Sequence, residues 1–412
     1  MMPTARQVSL ISRRPTRSLY LASRTASAPV VLAALLALCA CEVPRSAARR
    51  ADVPDGAPAI RSAPPAAPPG EVPSNIVFLI GDGMGVTQIT AGMYASGNRI
   101  AFERMRTVGL HKSYSSDNLV TDSAAGATAF SCGVKTYNGA IGVRPDGSAC
   151  PTLFEYAGEL DMPTGLVVTS TIVHATPAAF YAHEKSRKSY ENIAEQLASA
   201  EVDFFVGGGQ QFFDRRKDDR DLIAEMRADG RTVESYFDKG FTEVAASAKT
   251  PYAYFTAAND PLPAGQGRDY LRAASTAALD HLEARDTLGR GFFLMIEGSQ
   301  IDWGGHAKNG DYIVSEMQDF SRTVDAVLDW AQARGNTLVV VTADHETGGF
   351  AINNGSTQDE IVYAFTSDYH TADMIPVFAE GPGAELFGGI YENTAIYGKL
   401  RSLLAARATS RR

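Results

Sequence analysis

Short, continuous apolar runs alternate with longer amphipathic stretches along most of this chain. The clearest run is Ile76-Val77-Phe78-Leu79-Ile80, which ends at a Gly-Asp-Gly turn. Runs of the same kind recur at 165–168, 204–206, 292–296, 337–341 and 375–378. Such runs are typical of strands buried on both faces of a sheet, and the stretches at 269–284 and 312–333 have helical spacing. This alternation predicts an α/β fold, a three-layer sandwich with a large, mostly parallel central sheet.

Acidic and imidazole side chains come soon after three of these apolar runs. Asp82 follows the first run, and later runs are followed by Glu297 and Asp302 and by Asp344 and His345. Ligands of open α/β sheets bind beyond the carboxyl ends of the strands. We therefore expect these five side chains to meet at one edge of the sheet.

The charge of the chain is acidic and unevenly distributed. Its 412 residues carry a net charge of −9, although the residues before Cys41 include five arginines and no acid. A domain this acidic lacks the basic surface that nucleic-acid binding requires, so we expect no nucleic-acid partner. It can still hold a phosphate group in a local cationic pocket, to which bound metal ions add positive charge.

Residues 1–40 are predicted to be a signal peptide. Several arginines precede an apolar run at 29–40, which is too short to span a bilayer as a helix. The run ends in Leu38-Cys39-Ala40-Cys41, which resembles a bacterial lipoprotein box, although Cys39 is unusual at its position. This predicts a lipid anchor at Cys41; plain secretion and an uncleaved membrane anchor are the alternatives.

The export signal is followed by a segment of different composition. Residues 41–74 are rich in Pro and Ala and are predicted to be a disordered tether, because they contain few large apolar residues. The folded domain is predicted at 75–412. The protein is therefore expected in the periplasm or cell envelope, held there by its lipid. Export also permits a disulfide between Cys132 and Cys150, with two buried thiols as the alternative.

Two motifs pair an acid with a histidine in a way that suits zinc. Asp302 and His306 are four residues apart, so both can lie on one side of a turn; a surface acid and a capping histidine are the alternative. Adjacent Asp344 and His345 follow an apolar run, where polar groups are costly unless they are satisfied. Asp82 lies between two glycines and is either a metal ligand or a solvated turn residue.

Ser123 is a candidate nucleophile at the start of a predicted helix. Small helix formers follow it, and the free N–H groups and dipole of a helix N-terminus favour phosphate. The alternative is that Asp122 or Ser123 only caps the helix.

A third region offers groups for a cation and for a phosphate. Thr176 can lend its hydroxyl to magnesium, and Arg187 can bind phosphate with two N–H groups. Alternatively, Thr176 only begins a turn before Pro177 and Arg187 is a surface residue. His370 carries no signal by itself.

Together these motifs resemble those of alkaline phosphatases from residue 75 to about residue 404. The segment 121–143, T-D-S-A-A-G-A-T-A-F-S-C-G-V-K-T-Y-N-G-A-I-G-V, is similar to the nucleophile region of that family. The motifs around Asp82, His174, Asp302 and Asp344 occur in the family's order. The resemblance implies that the domain at 75–412 hydrolyses small phosphate monoesters through a phosphoserine at Ser123, releasing inorganic phosphate and an alcohol.

The resemblance also implies two Zn²⁺ and one Mg²⁺ per subunit. The first zinc would be held by Asp302, His306 and His370. The second would be held by Asp82, Asp344 and His345. Magnesium would be held by Asp82, Thr176 and Glu297. Arg187 would bind the phosphoryl oxygens and Asp122 would orient it.

Two positions depart from the best-known enterobacterial pattern, which has Asp and Lys where this chain has His174 and Trp303. We hypothesise that His174 shifts the third metal site towards Zn²⁺ or Co²⁺, and that Trp303 weakens the retention of phosphate. A homodimer is implied by the resemblance, with a small crown formed by the short segment between His345 and His370.

Three other functions are competing hypotheses. A phosphodiesterase or nucleotide pyrophosphatase is disfavoured by Arg187 and by the pair Thr176 and Glu297, which suit a terminal phosphate. A sulfatase is disfavoured because its modified Cys/Ser motif is absent from the sequence. An inactive protein that binds metal or phosphate would not need Ser123.

Overall fold

The computed structural model describes residues 72–241, 249–357 and 360–409. The predicted signal peptide and nearly all of the predicted tether lie outside the described residues, so their boundaries stay predictions. Within the described ranges, no helix combines the length and apolar character that a membrane span requires.

Strands and helices alternate along the described chain. The strands are β1 (Asn75–Gly81), β2 (Thr107–Lys112), β3 (Thr164–Thr171), β4 (Phe204–Gly208), β5 (Thr232–Ser235), β6 (Tyr252–Phe255), β7 (Phe293–Gly298), β8 (Thr337–Thr342), β9 (Glu346–Thr347), β10 (Phe350–Ile352), β11 (Tyr363–Phe365), β12 (His370–Thr371), β13 (Met374–Glu380) and β14 (Gly389–Glu392). The helices are α1 (Val86–Tyr94), α2 (Ser123–Cys132), α3 (Leu153–Gly158), α4 (Ala175–Ala178), α5 (Tyr190–Ser199), α6 (Gln211–Asp214), α7 (Leu222–Ala228), α8 (Tyr270–Arg285), α9 (Gln300–His306), α10 (Gly310–Arg334) and α11 (Thr394–Thr409).

Ten of these strands form one central sheet in the order β14-β2-β13-β8-β1-β7-β3-β4-β6-β5. Every neighbouring pair is parallel except those that β13 makes with β2 and β8. Each predicted apolar run forms one of these strands, and the two predicted helices are α8 and α10. The predicted mostly parallel α/β sheet is therefore confirmed.

The sheet separates two apolar cores, which makes the fold a three-layer sandwich. Along β1, Ile76, Phe78 and Ile80 point into one core, while Val77 and Leu79 point into the other. All five are essentially inaccessible to solvent because successive side chains of a strand alternate between its faces. Residues of α2, α3, α5, α7 and α11 complete the first core, and those of α1, α8 and α10 complete the second.

A disulfide joins Cys132, the last residue of α2, to Cys150 in the loop before α3. Both residues are buried. Of the two alternatives that the sequence left open, the structure has the bridge. It closes the loop that follows the predicted nucleophile helix.

A buried ion cluster beneath α10 gives a prediction about stability. Arg268 Nη2 lies 2.7 Å from Glu316 Oε2 and 2.8 Å from Asp319 Oδ2, and all three side chains are at most 4% exposed. Because Arg268→Met leaves two buried carboxylates without their cation, we expect it to lower the free energy of unfolding by about 3–5 kcal/mol, measured by urea unfolding.

Arg322→Met is the matched control for that variant. Arg322 also contacts Asp319, at 3.3 Å, but its side chain is 57% exposed. Exposed pairs contribute about 0–1 kcal/mol. Equal losses in the two variants would contradict the assigned importance of burial.

Candidate active site

The carboxyl ends of three adjacent strands bring the predicted acids together. β1 lies between β7 and β8, with Ile80 paired to both Glu297 and Thr342. Asp82 follows β1 immediately, and Asp344 comes two residues after the end of β8. The expected meeting of these side chains at one edge of the sheet is therefore what the structure has.

Gly83 permits the close packing at this edge. Its φ of 73° lies in the left-handed region, and a Cβ placed here would be 2.7 Å from the Cα of Asp302. Its N–H donates a hydrogen bond of 3.2 Å to Asp344 Oδ1. A larger residue would push apart the loops that follow β1 and β7.

Acids and histidines gather in three groups, in each of which the potential ligand atoms lie within 4.8 Å of one another. The first group, called the outer group below, is Asp302, His306 and His370. The inner group is Asp82, Asp344 and His345. The third group is Asp82, His174 and Glu297, so Asp82 belongs to two groups.

The structure brings together the acidic and histidine residues of each ligand set that the resemblance implied. His174, which stands where the enterobacterial pattern has Asp, also lies in the third group. Thr176, the hydroxyl expected there, is buried at the start of α4, and its Oγ1 has no hydrogen-bond partner within the described residues.

Backbone carbonyls orient the two histidines of the outer group. His306 Nδ1 lies 2.9 Å from the carbonyl oxygen of Asp368, and His370 Nδ1 lies 2.8 Å from that of Thr121. A carbonyl oxygen can only accept, so Nδ1 carries the N–H in each ring, and in the neutral tautomer this leaves the Nε2 lone pair for a cation. Both Nε2 atoms face Asp302 Oδ1, at 3.4 and 3.5 Å.

The inner group is completely buried and contacts the candidate nucleophile. His345 Nε2 lies 3.2 Å from Asp344 Oδ2 and 3.5 Å from Asp82 Oδ1. Ser123 Oγ lies 3.3 Å from His345 Nε2 and 3.5 Å from Asp82 Oδ1. The serine hydroxyl and the inner group therefore share one small volume.

Burial dominates the electrostatics of these groups. It raises the pKa of Asp82 far above its usual range, helped by the negative charges of Asp344, Asp302 and Glu297. Burial also raises the pKa of Glu297 to about 8 and raises that of Asp344. So many buried carboxylates can stay ionised together only beside added positive charge.

The donor set fits metal ions. Among the described residues, Asp82 Oδ2, Glu297 Oε1 and Asp344 Oδ2 are buried oxygens without a hydrogen-bond partner. Buried polar atoms of this kind are rare unless something else satisfies them. Imidazole with carboxylate suits zinc, and the oxygen-rich third group also suits a hard cation such as magnesium.

Known proteins share this sequence pattern. A family model described as "Alkaline phosphatase" matches residues 73–260 and 269–364, well over half of the chain. The chain belongs to the alkaline phosphatase family. It is therefore a phosphoric monoester hydrolase of a metal-dependent family, as predicted.

Individual relatives agree with this assignment. The chain is 39% identical to alkaline phosphatase 3 of Bacillus subtilis over 321 residues, which cover 74% of this chain and 67% of the relative. Its structure superposes on alkaline phosphatase from the Antarctic bacterium TAB5 with a TM-score of 0.77 at 41% identity, covering 81% of this chain and 99% of the other. These matches favour the phosphomonoesterase over the competing phosphodiesterase and sulfatase hypotheses.

In this alkaline phosphatase, Asp122 both caps α2 and holds the candidate phosphate-binding arginine. Its Oδ1 accepts a hydrogen bond of 3.0 Å from Ala125 N, and its Oδ2 accepts one of 2.9 Å from Arg187 Nη1. The two interpretations of Asp122 are therefore compatible, since each uses a different oxygen. The cap begins the helix at Ser123 and also fixes the guanidinium beside it.

His174 and Trp303 lie on the arginine side of the site. His174 Nε2 is 3.3 Å from Arg187 Nη2, and its ring meets Trp303 edge to face at a centroid distance of 6.2 Å. Burial, and then the positive charge of Arg187, lower the pKa of His174 to about 3. The imidazole is therefore neutral at ordinary pH and keeps a lone pair for a cation.

Sequence reasoning assigned no role to Thr347, which links the outer and inner groups. Its hydroxyl donates to Asp302 Oδ1 and lies 3.2 Å from His345 Nδ1. The signal was available, because Thr347 lies three residues beyond Asp344 in the same motif. The orienting carbonyls of Thr121 and Asp368 left no signal, since any residue type can provide one.

Proposed function

We propose that this alkaline phosphatase hydrolyses phosphate monoesters through a covalent phosphoserine at Ser123. The observation that carries the proposal is the contact of Ser123 Oγ with His345 and Asp82 at the N-terminus of α2. In-line attack by this oxygen on phosphorus would release the alcohol, and hydrolysis of the phosphoserine would release inorganic phosphate.

Two Zn²⁺ and one Mg²⁺ per subunit are the cofactors we propose. The outer and inner groups would each hold a zinc, and Asp82, Thr176 and Glu297 would hold the magnesium, with His174 beside them. When bound, the ions would lower the pKa of the serine hydroxyl and offset negative charge on the leaving oxygen.

The remaining steps belong to residues of the chain. The N-terminus of α2 directs N–H groups and a positive dipole towards a phosphoryl group on Ser123. The Arg187 guanidinium, held by Asp122, would bind two of its oxygens. A monoester has three free oxygens to share between Arg187 and the other phosphate-binding groups, whereas a diester has only two, so a diester should be a poor substrate.

Turnover of matched substrates tests this proposal. We expect the metal-loaded protein to hydrolyse p-nitrophenyl phosphate at least about 100-fold faster than bis(p-nitrophenyl) phosphate at equal concentration, because the diester lacks the third free oxygen that the phosphate-binding groups would bind. Faster turnover of the diester would overturn it.

The identity of the third metal gives a further prediction. A TAB5 alkaline phosphatase variant with aspartate in place of a histidine, 40% identical to this chain, was solved with magnesium in its M3 site. We expect His174→Asp to increase the affinity for Mg²⁺ about tenfold, because a carboxylate oxygen suits this hard cation better than imidazole. Calorimetric titration measures it, with His183→Asp, which lies outside the three groups, as control. Unchanged Mg²⁺ affinity would count against the role of His174.

Trp303 is proposed to weaken product retention, because it lies where a lysine would add a cation near Arg187. We therefore expect Trp303→Lys to lower the inhibition constant of inorganic phosphate, measured in a steady-state assay. Unchanged inhibition would refute it.

We propose that the protein is a homodimer. Three apolar side chains lie on one face of the outermost strands β14, β2 and β13. Val108, Met374 and Ile390 are 56%, 48% and 62% exposed. The register places them on the same side of β2, β13 and β14, since Ile390 pairs with Leu110 and Met374 with Lys112. A second copy would cover this apolar surface.

Light scattering should show a dimer for the wild type and a monomer for Ile390→Lys. Leu288→Lys changes a residue that is equally exposed elsewhere, so this variant should remain dimeric. A dimeric Ile390→Lys would contradict this surface.

Export to the periplasm or cell envelope with a lipid at Cys41 is also our proposal. It is supported by the sequence of the first 41 residues. Mass spectrometry of the mature N-terminus tests it, and an unmodified chain that begins after Cys41 would exclude the lipid.

A further inference from the structure

The outer and inner groups differ in their access to solvent. Asp82, Asp344 and His345 are fully buried, whereas the side chain of His306 is 36% exposed. Ser123 lies against the inner group, and the leaving group of an in-line displacement departs on the side opposite the nucleophile. A pair of metals in such a displacement holds the attacking oxygen on one side and the leaving oxygen on the other, so with Ser123 against the inner group the alcohol of the substrate would lie at the outer group.

Three near-parallel rings lead from the buried site towards that side. The rings of His345 and His370 have centroids 3.5 Å apart and planes 14° apart. The rings of His370 and Tyr369 have centroids 4.2 Å apart and planes 6° apart. Exposure rises along the stack, from 0% for His345 to 6% for His370 and 46% for Tyr369.

The backbone around Tyr369 is fixed to the site on both sides. The preceding carbonyl, that of Asp368, bonds His306, and the following residue is His370 itself. The Tyr369 carbonyl accepts a hydrogen bond of 2.9 Å from Gly348 N, and its N–H donates to Ser367 Oγ, also at 2.9 Å. The half-exposed ring of Tyr369 is therefore already ordered beside the outer group. Little conformational entropy of this side chain is lost when a ligand contacts it.

The ring of Tyr369 also lies near the other histidine of the outer group, since its centroid is 5.9 Å from that of His306. The phenol therefore borders both histidines of the outer group.

We propose that Tyr369 is a specificity-determining residue whose ring stacks against planar aromatic leaving groups. Aryl and nucleoside monophosphates would then bind more tightly than small alkyl phosphates. This inference rests on the proposed function, because it requires the substrate alcohol to lie at the outer group.

Calorimetry with two phosphonates tests the inference without turnover. The dissociation constants of phenylphosphonate and methylphosphonate are measured for the metal-loaded wild type, Tyr369→Ala, Tyr369→Phe and Tyr94→Ala. Tyr94 is the control because it is 38% exposed at the end of α1. We expect the wild type to prefer phenylphosphonate and Tyr369→Ala to lose about 3- to 10-fold of that preference. Tyr369→Phe and Tyr94→Ala should keep it within about twofold.

Two results would overturn the inference. One is a wild type that binds both phosphonates equally. The other is a Tyr369→Ala variant that keeps the wild-type preference; if it also loses bound zinc, the ring is only a support for His370. Failure of the proposed function is distinguishable, because it would appear as a wild type that hydrolyses no phosphate monoester, whatever its phosphonate affinities.

Discussion

Replacement of Ser123 by alanine is expected to lower kcat for p-nitrophenyl phosphate by about 10³- to 10⁵-fold. The side chain removed is 2% exposed and lies 3.3 Å from His345 Nε2, so alanine should fit without disturbing its neighbours. The loss follows because no oxygen remains to form the phosphoserine. Residual hydrolysis should persist, because Arg187 and the metal-binding groups can still hold the phosphate for attack by water.

Ser131→Ala is the matched control for this experiment. Ser131 lies on the same helix and is fully buried, and its Oγ has no hydrogen-bond partner within the described residues. It should therefore leave kcat within about twofold of the wild type, since no polar contact is lost. Acid quenching should trap a phosphorylated peptide containing Ser123 from the wild type and Ser131→Ala. A kcat of Ser123→Ala within tenfold of the wild-type value would refute the assignment of Ser123 as the nucleophile.

Chelation of the metals should lower activity by on the order of 10³-fold or more and also destabilise the protein. Without cations, Asp82, Glu297 and Asp344 remain buried together, and their pKa values are raised by that burial. A raised pKa in the folded state contributes stability that is complete below the unfolded pKa. That stability is lost as the pH rises through the folded pKa.

The pKa of Glu297, near 8, sets the upper end of this pH window. The melting temperature of the metal-free protein should consequently fall as the pH rises from about 6.5 to 8. Scanning calorimetry of the chelated protein measures this slope, and restored zinc and magnesium should recover both Tm and activity. Glu297→Gln is the matched variant, because the amide cannot ionise and should flatten the slope. An equal slope in both proteins would contradict the assignment.

Much of the fold could be predicted because its strands are buried on both faces. The runs at 76–80 and 337–341 are continuous and apolar, and they form β1 and β8 nearly residue for residue. The two-residue strands β9 and β12 could not be predicted in this way. Their pairing depends on contacts between distant segments, which no local pattern records.

The same distinction holds for the site. Asp82, Asp344 and His345 follow strongly apolar strands, so the topology alone brings them together. His370 comes from β12, which lies beside the site only because it pairs with β9. Its position was therefore expected from family resemblance and not from spacing. The stack of Tyr369 on His370 was likewise beyond the reach of sequence reasoning, since it depends on side-chain orientation.

The direction of β1 has a practical consequence for immobilising the protein. The chain enters the sheet at Asn75, and the strand runs seven residues to Gly81, directly before Asp82. At roughly 3.3 Å per residue, the entry point is about 20 Å from the site, at the amino ends of the parallel strands. A bead, electrode or fusion partner attached before residue 75 would thus leave the active site accessible to substrate. This end is therefore the better attachment site when the protein is used as a reporter enzyme.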